Sequence, residues 1–239
     1  MILTIINIIL TCALMRLLIK RFFRTLIVIS AIDSCTMVKM IERLNFTSLI
    51  VSTILFLYFY VRSVSPAQLE RRIGESAYPK CKTYRIIAGC FEGVTVINYV
   101  IYVFYPLPLG LPLILPWHWG ISISAGLIII APSMYIMYFG IKDAGEEALA
   151  PKKEHGLYTG IYEKVRHPQA IGESILWFPI ALWLNSPFLV FYSFIWIPIF
   201  YIMCVAEEKD LIIRFGQPYL DYRERVGFLI PKKSVLLSG

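Results

Sequence analysis

Five apolar stretches, 46–61, 86–105, 119–141, 170–184 and 187–206, are separated by basic segments after the first and third and by uncharged ones after the second and fourth. This alternation limits the possible folds sharply. A run of about 20 apolar residues is long enough for a helix to cross ~30 Å of hydrocarbon. In lipid, only a helix or a closed barrel satisfies its own backbone. Of the 239 residues, 58% are hydrophobic and only 16% charged, against about 25% charged in an ordinary soluble domain. The expected fold is an all-α polytopic membrane bundle of about five transmembrane helices. A sixth, N-terminal apolar segment stays open. Segment 46–61 is short for a span, but Arg62 can snorkel to the interface. Asn185-Ser186-Pro187 breaks the long run from 170 to 206 into a helical hairpin.

Loop charge orients this bundle. Residues 62–85 carry Arg62, Arg71, Arg72, Lys80, Lys82 and Arg85, and 142–168 carry Lys142, Lys152, Lys153, Lys164 and Arg166. The C-terminal segment adds Lys209, Arg214, Arg223, Arg225, Lys232 and Lys233, whereas Pro106 to Trp117 has no charge. An excess of Lys and Arg marks cytoplasmic loops, so the basic segments and the C-terminus are expected in the cytoplasm. The net charge of +7 then reflects loops facing anionic headgroups, and no nucleic-acid partner is implied. Residues 1–45 form an apolar and basic segment that does not fit the alternation. Either 22–38 is a re-entrant or interfacial helix, or the protein starts at Met37 or Met40.

Several chemistries lack their residues. No P-loop pattern and no Gly-rich dinucleotide fingerprint occurs. His118, His155 and His167 do not group with carboxylates at metal spacing, so no metal is expected. Cys12, Cys35, Cys81, Cys90 and Cys204 are odd in number, without the paired spacing of a zinc site or disulfide framework.

The polar punctuation between spans is where chemistry can reside. Gly156 and Gly160 allow close backbone approach, and Arg166-His167-Pro168 opens the helix that follows. Proline suits a first helical turn, whose free N–H groups and dipole favour an anion. Arg166 adds a bidentate donor there. Glu207-Glu208 follows the last span and can accept from hydroxyls or pair with an ammonium, and Tyr219 and Tyr222 share one helix face. Each has an ordinary alternative: positive-inside anchors, solvated carboxylates, interfacial tyrosines. Glu92, Asn98 and Glu173, inside apolar runs, are either functional or structural hydrogen-bonding groups.

Taken in order, Gly160-x-Tyr162, Arg166-His167-Pro168, a hairpin, Glu207-Glu208, Leu211, Phe215-Gly216, Tyr219 and Tyr222 resemble the isoprenylcysteine carboxyl methyltransferase family and its phospholipid methyltransferase relatives. His155, Leu157 and Thr159 extend the resemblance upstream, and it covers roughly 119–233. It implies a membrane-embedded enzyme that uses S-adenosylmethionine, with its active site on the cytoplasmic face and a lipid or lipophilic acceptor drawn from the bilayer. Residues 46–141 would be N-terminal transmembrane helices and 142–239 the catalytic region. Carried over by position, cofactor contacts fall on Glu147, His155, Leu157, Tyr158, Gly160, Tyr162, His167, Pro168, Gln169, Ala170 and Glu207. Arg166 and His167 would be catalytic, and Met203 and Glu208 would face the substrate. In-line methyl transfer from a sulfonium needs positioning and exclusion of water more than acid–base help. Enzymes acting on a prenylcysteine carboxylate have an Arg where this chain has Met203, and an aromatic where it has Ala170. A carboxylate acceptor therefore lacks its usual partner. The other readings are an NADPH-dependent membrane reductase of the sterol reductase type and a non-catalytic scaffold or transporter.

Overall fold

A computed structural model describes residues 33–148, 151 and 159–232. The readings placed on residues 1–32 and on His155, Leu157 and Tyr158 lie outside them. The chain divides into two units, 1–44 and 45–239. Of the first, residues 33–44 are the opening turns of helix α1 (Asp33–Ser63); the contacts discussed below lie within the second.

The second unit continues α1 and adds α2 (Pro66–Ile73), α3 (Ala77–Phe104), α4 (Trp119–Ala144), α5 (Pro168–Trp183), α6 (Pro187–Ser193), α7 (Trp196–Phe215) and α8 (Gln217–Arg225). Short 3-10 turns sit at Gly74–Ser76, Gly145–Ala148 and Gly160–Glu163. The all-helical architecture agrees with the sequence. Among the described residues, four helical stretches are long and apolar enough to cross a membrane: Thr36–Ser63, Pro66–Phe104, Trp119–Ala144 and Pro187–Phe215. The fifth expected span is α5, at 16 residues or roughly 24 Å, shorter than the hydrocarbon core. It ends where Asn185 takes a positive φ of 53°, a left-handed conformation that Asn tolerates better than most residues.

The helix ends differ from the apolar limits. Helix α3 starts at Ala77 rather than at 86, and α7 runs to Phe215, so Glu207 and Glu208 lie on the helix and not beyond it. Hydropathy stops at the first charge, but backbone hydrogen bonding does not. The second arm of the hairpin is also bent, by a turn at Phe194–Ile195 between α6 and α7.

Two kinds of packing hold the helices. Between α1 and α3 polar groups pair across the contact: Asn45 Nδ2 donates to the Asn98 carbonyl at 3.2 Å, Asn98 Nδ2 to Ser48 Oγ at 3.0 Å, and Ser52 Oγ lies 2.8 Å from Thr95 Oγ1. Asn98 is thus a structural hydrogen-bonding group. Between α4 and α5 the backbones approach closely. A Cβ on Gly172 would stand 2.7 Å from both Met137 Cβ and the Ser133 carbonyl, and one on Gly140 2.8 Å from Gln169 Cγ. Gly126, Ser133 and Gly140 are all buried on α4 at seven-residue spacing, a small-residue seam of the kind that lets membrane helices touch.

The core lies where the hairpin meets α1 and α3. Trp177 of α5 and Trp196 of α7 stack at 3.9 Å with 3° between their planes, Phe56 meets Trp196 edge-on, and Trp196 Nε1 donates to Tyr99 Oη at 3.2 Å. This contact fixes the register of α5 against α7.

Candidate active site

Arg166, His167, Glu207 and Glu208 come together at the mouth of the hairpin. Pro168 starts α5 and leaves His167 at its N-cap. The register set by the Trp177–Trp196 stack brings His167 opposite the glutamates on the antiparallel α7. His167 Nδ1 lies 3.3 Å from Glu207 Oε2 and Nε2 lies 3.2 Å from Glu208 Oε1. Both ring nitrogens face carboxylates, so both must donate, which is the imidazolium form. Burial works against this charge, but hydrogen bonds to Cys204, Glu207 and Glu208 raise the His167 pKa well above its ordinary value. Glu208 is also held by Arg166, whose Nε donates to Oε1 at 2.6 Å. Arg166 Nη1 donates to the Arg223 and Val226 carbonyls at 2.9 and 2.7 Å, and its backbone N–H to the Gly227 carbonyl at 2.9 Å. Arg166 therefore ties the segment after α8 to the start of α5.

A cavity opens beside this network, with about 790 Å³ free of protein atoms when its open mouth is included. Its polar end is formed by Glu147, Tyr162, Arg166, His167, Gln169 and Glu207. Gln169 Nε2 donates to the Gly140 carbonyl at 3.0 Å and to Tyr162 Oη at 3.1 Å, and Tyr222 Oη donates to the Tyr162 carbonyl at 2.7 Å. Burial pushes the phenol pKa values of Tyr162, Tyr219 and Tyr222 up, so all three are neutral O–H groups. The Tyr219 hydroxyl is buried with no hydrogen-bond partner among the described residues, and Tyr219 lines the cavity. Glu207 keeps 34% of its side chain exposed, whereas Glu208 keeps 9%.

Deeper along the hairpin lies a more apolar wall of Ala170 on α5 and Met203 and Phe200 on α7; Tyr60 from α1, Arg85 from α3 and Glu173 from α5 also line the cavity. The lining stops one helical turn short of the stacked tryptophans.

The structure sorts the expected site residues into three groups. Glu147, Tyr162, Arg166, His167, Gln169, Ala170, Met203 and Glu207 line the cavity. Gly160, Pro168 and Glu208 do not. Gly160, at φ +67°, shapes a turn against Asp143, whose Oδ2 accepts from the Ile161 N–H at 2.8 Å. Pro168 packs toward Gly140, and Glu208 stands behind the wall and orders Arg166 and His167. His155, Leu157 and Tyr158 are outside the described residues.

Sequence reasoning did not find Tyr60, Arg85 or Arg214. Arg85 donates from Nη1 to the Glu147 carbonyl at 2.8 Å and faces the Tyr60 ring at 5.7 Å, and Arg214 Nη1 pairs with Glu147 Oε1 at 2.5 Å. Both arginines were read as topology anchors. Only the position of Arg85 next to an apolar run hinted at more.

Order and spacing of the motifs, now joined by a shared cavity, agree with comparison to known proteins. Residues 109–217 match the phospholipid methyltransferase family. A methanethiol S-methyltransferase of a Pseudomonas species is 33% identical over 132 residues, covering 52% of this chain and 47% of its own length. Methanethiol S-methyltransferase 1 of Bradyrhizobium diazoefficiens is 32% identical over 120 residues, 45% of this chain and 39% of its own. A methanethiol S-methyltransferase of Pseudomonas deceptionensis is 32% identical over 113 residues, 44% and 41%. The chain thus spans less than half the length of these relatives. No solved structure matches it. The apolar helices and the similarity to this family support an integral membrane protein.

Proposed function

We propose that the chain is a membrane methyltransferase that moves a methyl group from S-adenosylmethionine to a lipophilic acceptor entering from the bilayer. The carrying observation is that one cavity joins a charged, hydrogen-bonding end to an apolar end set among spanning helices. The family match and the relatives' activities support this reading.

The residues present fit the donor. Glu207 offers a carboxylate to hydroxyl or ammonium groups, and the orphan Tyr219 hydroxyl is a donor in need of an acceptor. Tyr162 places an aromatic ring beside them, suited to a cation. When bound, the donor supplies an electrophilic methyl on a sulfonium. The protein's part is to hold it, exclude water and present the acceptor in line. Imidazolium His167 fixes Glu207, and Arg166 fixes Glu208 and the segment that borders the cavity. Arg85 and Arg166 in the cavity wall belong to the basic 62–85 and 142–168 segments, which the positive-inside rule places in the cytoplasm.

Calorimetric titration of detergent-purified protein with S-adenosylmethionine and, separately, NADPH tests the reading. Saturable binding of the first alone is expected, weakened by Glu207→Ala and by His167→Ala. NADPH binding alone overturns it in favour of a reductase. Binding of neither by folded protein points to a non-catalytic role.

A further inference from the structure

Glu173 lies six residues beyond His167 on α5, about 9 Å deeper along the helix axis. It lines the cavity, as do Phe200 and Met203. The other carboxylates lining the cavity are engaged: Glu147 with Arg214, Glu207 with His167. Glu173 makes no hydrogen bond or ion pair among the described residues. Its charged neighbours are Glu92 on α3, Arg85 and Glu207. A carboxyl group at this depth is costly unless it serves a ligand or proton path. A buried structural Glu would have a partner, and this one faces open space instead.

The chemistry of the proposed reaction leaves one need unmet. Methyl transfer from a sulfonium to a thiol, or to an amine that enters as its ammonium ion, releases a proton. At the acceptor end, Ala170, Phe200 and Met203 offer no group to take it. We propose that Glu173 takes up the acceptor's proton, and that the acceptor is a small lipophilic thiol or amine with that proton on its nucleophilic atom. A carboxylate oxygen of Glu173 takes the proton as the bond from the acceptor's sulfur or nitrogen to the methyl carbon forms. The methyl's bond to the sulfonium sulfur breaks, its electron pair stays on that sulfur as a neutral thioether, and Glu173 becomes a carboxylic acid. A carboxylate acceptor has no proton to lose and would leave Glu173 without a part in the reaction. The assignment rests on the methyltransferase reading and adds its acceptor class.

The test uses hexylamine, hexanethiol and hexanoate with full-length wild-type protein, Glu173→Gln and Glu173→Asp. Without any methyl donor, wild type is expected to bind hexylamine in preference to hexanoate, and E173Q to lose that preference. With S-adenosylmethionine, wild type is expected to methylate hexylamine or hexanethiol. E173Q should be slower by roughly 10²-fold or more, the usual scale of lost proton transfer. Its rate on the thiol should climb with pH as thiolate forms, and E173D should recover part of the loss. Unchanged S-adenosylmethionine affinity in E173Q shows that the fold and donor end are intact. Turnover by E173Q at the wild-type rate and pH profile overturns the Glu173 assignment alone, as does loss of donor affinity in E173Q. A wild type that binds the donor yet methylates neither probe overturns the acceptor class. A wild type that does not bind the donor overturns the methyltransferase reading itself.

Discussion

Replacing Arg166 by Met keeps the volume of the side chain's stem and removes its head. Three hydrogen bonds go with it, one to Glu208 and two to the Arg223 and Val226 carbonyls. Glu208 is then left buried, with His167 at 3.2 Å and Arg223 Nε at 3.7 Å from its oxygens. Removing one partner of a buried ion pair costs about 3–5 kcal/mol, because the other charge stays desolvated. The carbonyl bonds add less, since the one to Arg223 is exposed and water can replace it. For a unit of this size each kcal/mol lowers the unfolding midpoint by about 2–4 °C, so a fall of about 6–20 °C is expected.

Thermal unfolding followed by tryptophan fluorescence measures this, since Trp177 and Trp196 report on the core beneath the site. Glu208→Gln and the double variant complete a cycle. If Glu208's stranded charge carries the cost, the double variant is more stable than Arg166→Met alone, with coupling above about 2 kcal/mol. Arg166→Lys keeps the charge but not the fork of donors, and should fall between. A loss below about 1 kcal/mol for Arg166→Met, or additive effects in the cycle, would refute the picture of Arg166 as the buried clasp between α5, α7 and the C-terminal segment.

The remaining predictions concern the seam, the imidazolium, the orphan hydroxyl and the acceptor end. Gly172→Val drives a branched side chain into Met137 and the Ser133 carbonyl and should cost about 1–3 kcal/mol or more, read as a lower unfolding midpoint. His167, with its pKa raised in the folded state, contributes stability that is full below its ordinary value near 6.5 and is lost as pH rises through the higher folded value. The wild-type midpoint should therefore fall from neutral into alkaline pH, and that of His167→Gln should not follow it. Tyr219→Phe removes an unpaired buried hydroxyl, so stability should hold or rise slightly while donor affinity falls; unchanged affinity removes Tyr219 from the donor end. Met203→Arg sets a guanidinium near the depth of Glu173 and should depress amine methylation. Only together with Glu173→Gln should it permit activity on a prenylcysteine carboxylate analogue, measured with labelled methyl donor.

The sequence exposed the pieces of the site that sit in punctuation. Arg166-His167-Pro168 and Glu207-Glu208 are legible because charges between apolar runs stand out, and the hairpin length between them implies that they meet. Their division of labour was not legible. Glu207 and Glu208 are adjacent in sequence, but on a helix they point about 100° apart, so one faces the cavity and the other faces Arg166. Arg85 and Arg214 were hidden by a rule that explains any basic residue near a span. The seam on α4 was hidden by hydropathy, because Gly126 and Gly140 read as apolar wherever they point. Helix ends were misjudged where helices run past the hydrocarbon, as at Ala77 and Phe215.

The division of the cavity also limits what similarity can carry across. The family match covers 109–217, which includes Tyr162, Arg166, His167, Gln169, Met203 and Glu207. Tyr60 and Arg85 come from α1 and α3, before that segment, and Tyr219 and Tyr222 from α8, after it. The donor end is therefore built mostly from residues within the match and closed by the chain that follows. The acceptor end takes two of its walls from helices for which the family model says nothing. The matched segment therefore supports the proposed donor but says little of the acceptor. That the relatives act on methanethiol agrees with a protic sulfur nucleophile, but the size and polarity of the acceptor here depend on Tyr60, Arg85 and Glu173, two of which no matched position informs. Exchanging α1 and α3 residues at the cavity should accordingly change which acceptor is methylated while leaving donor affinity in place.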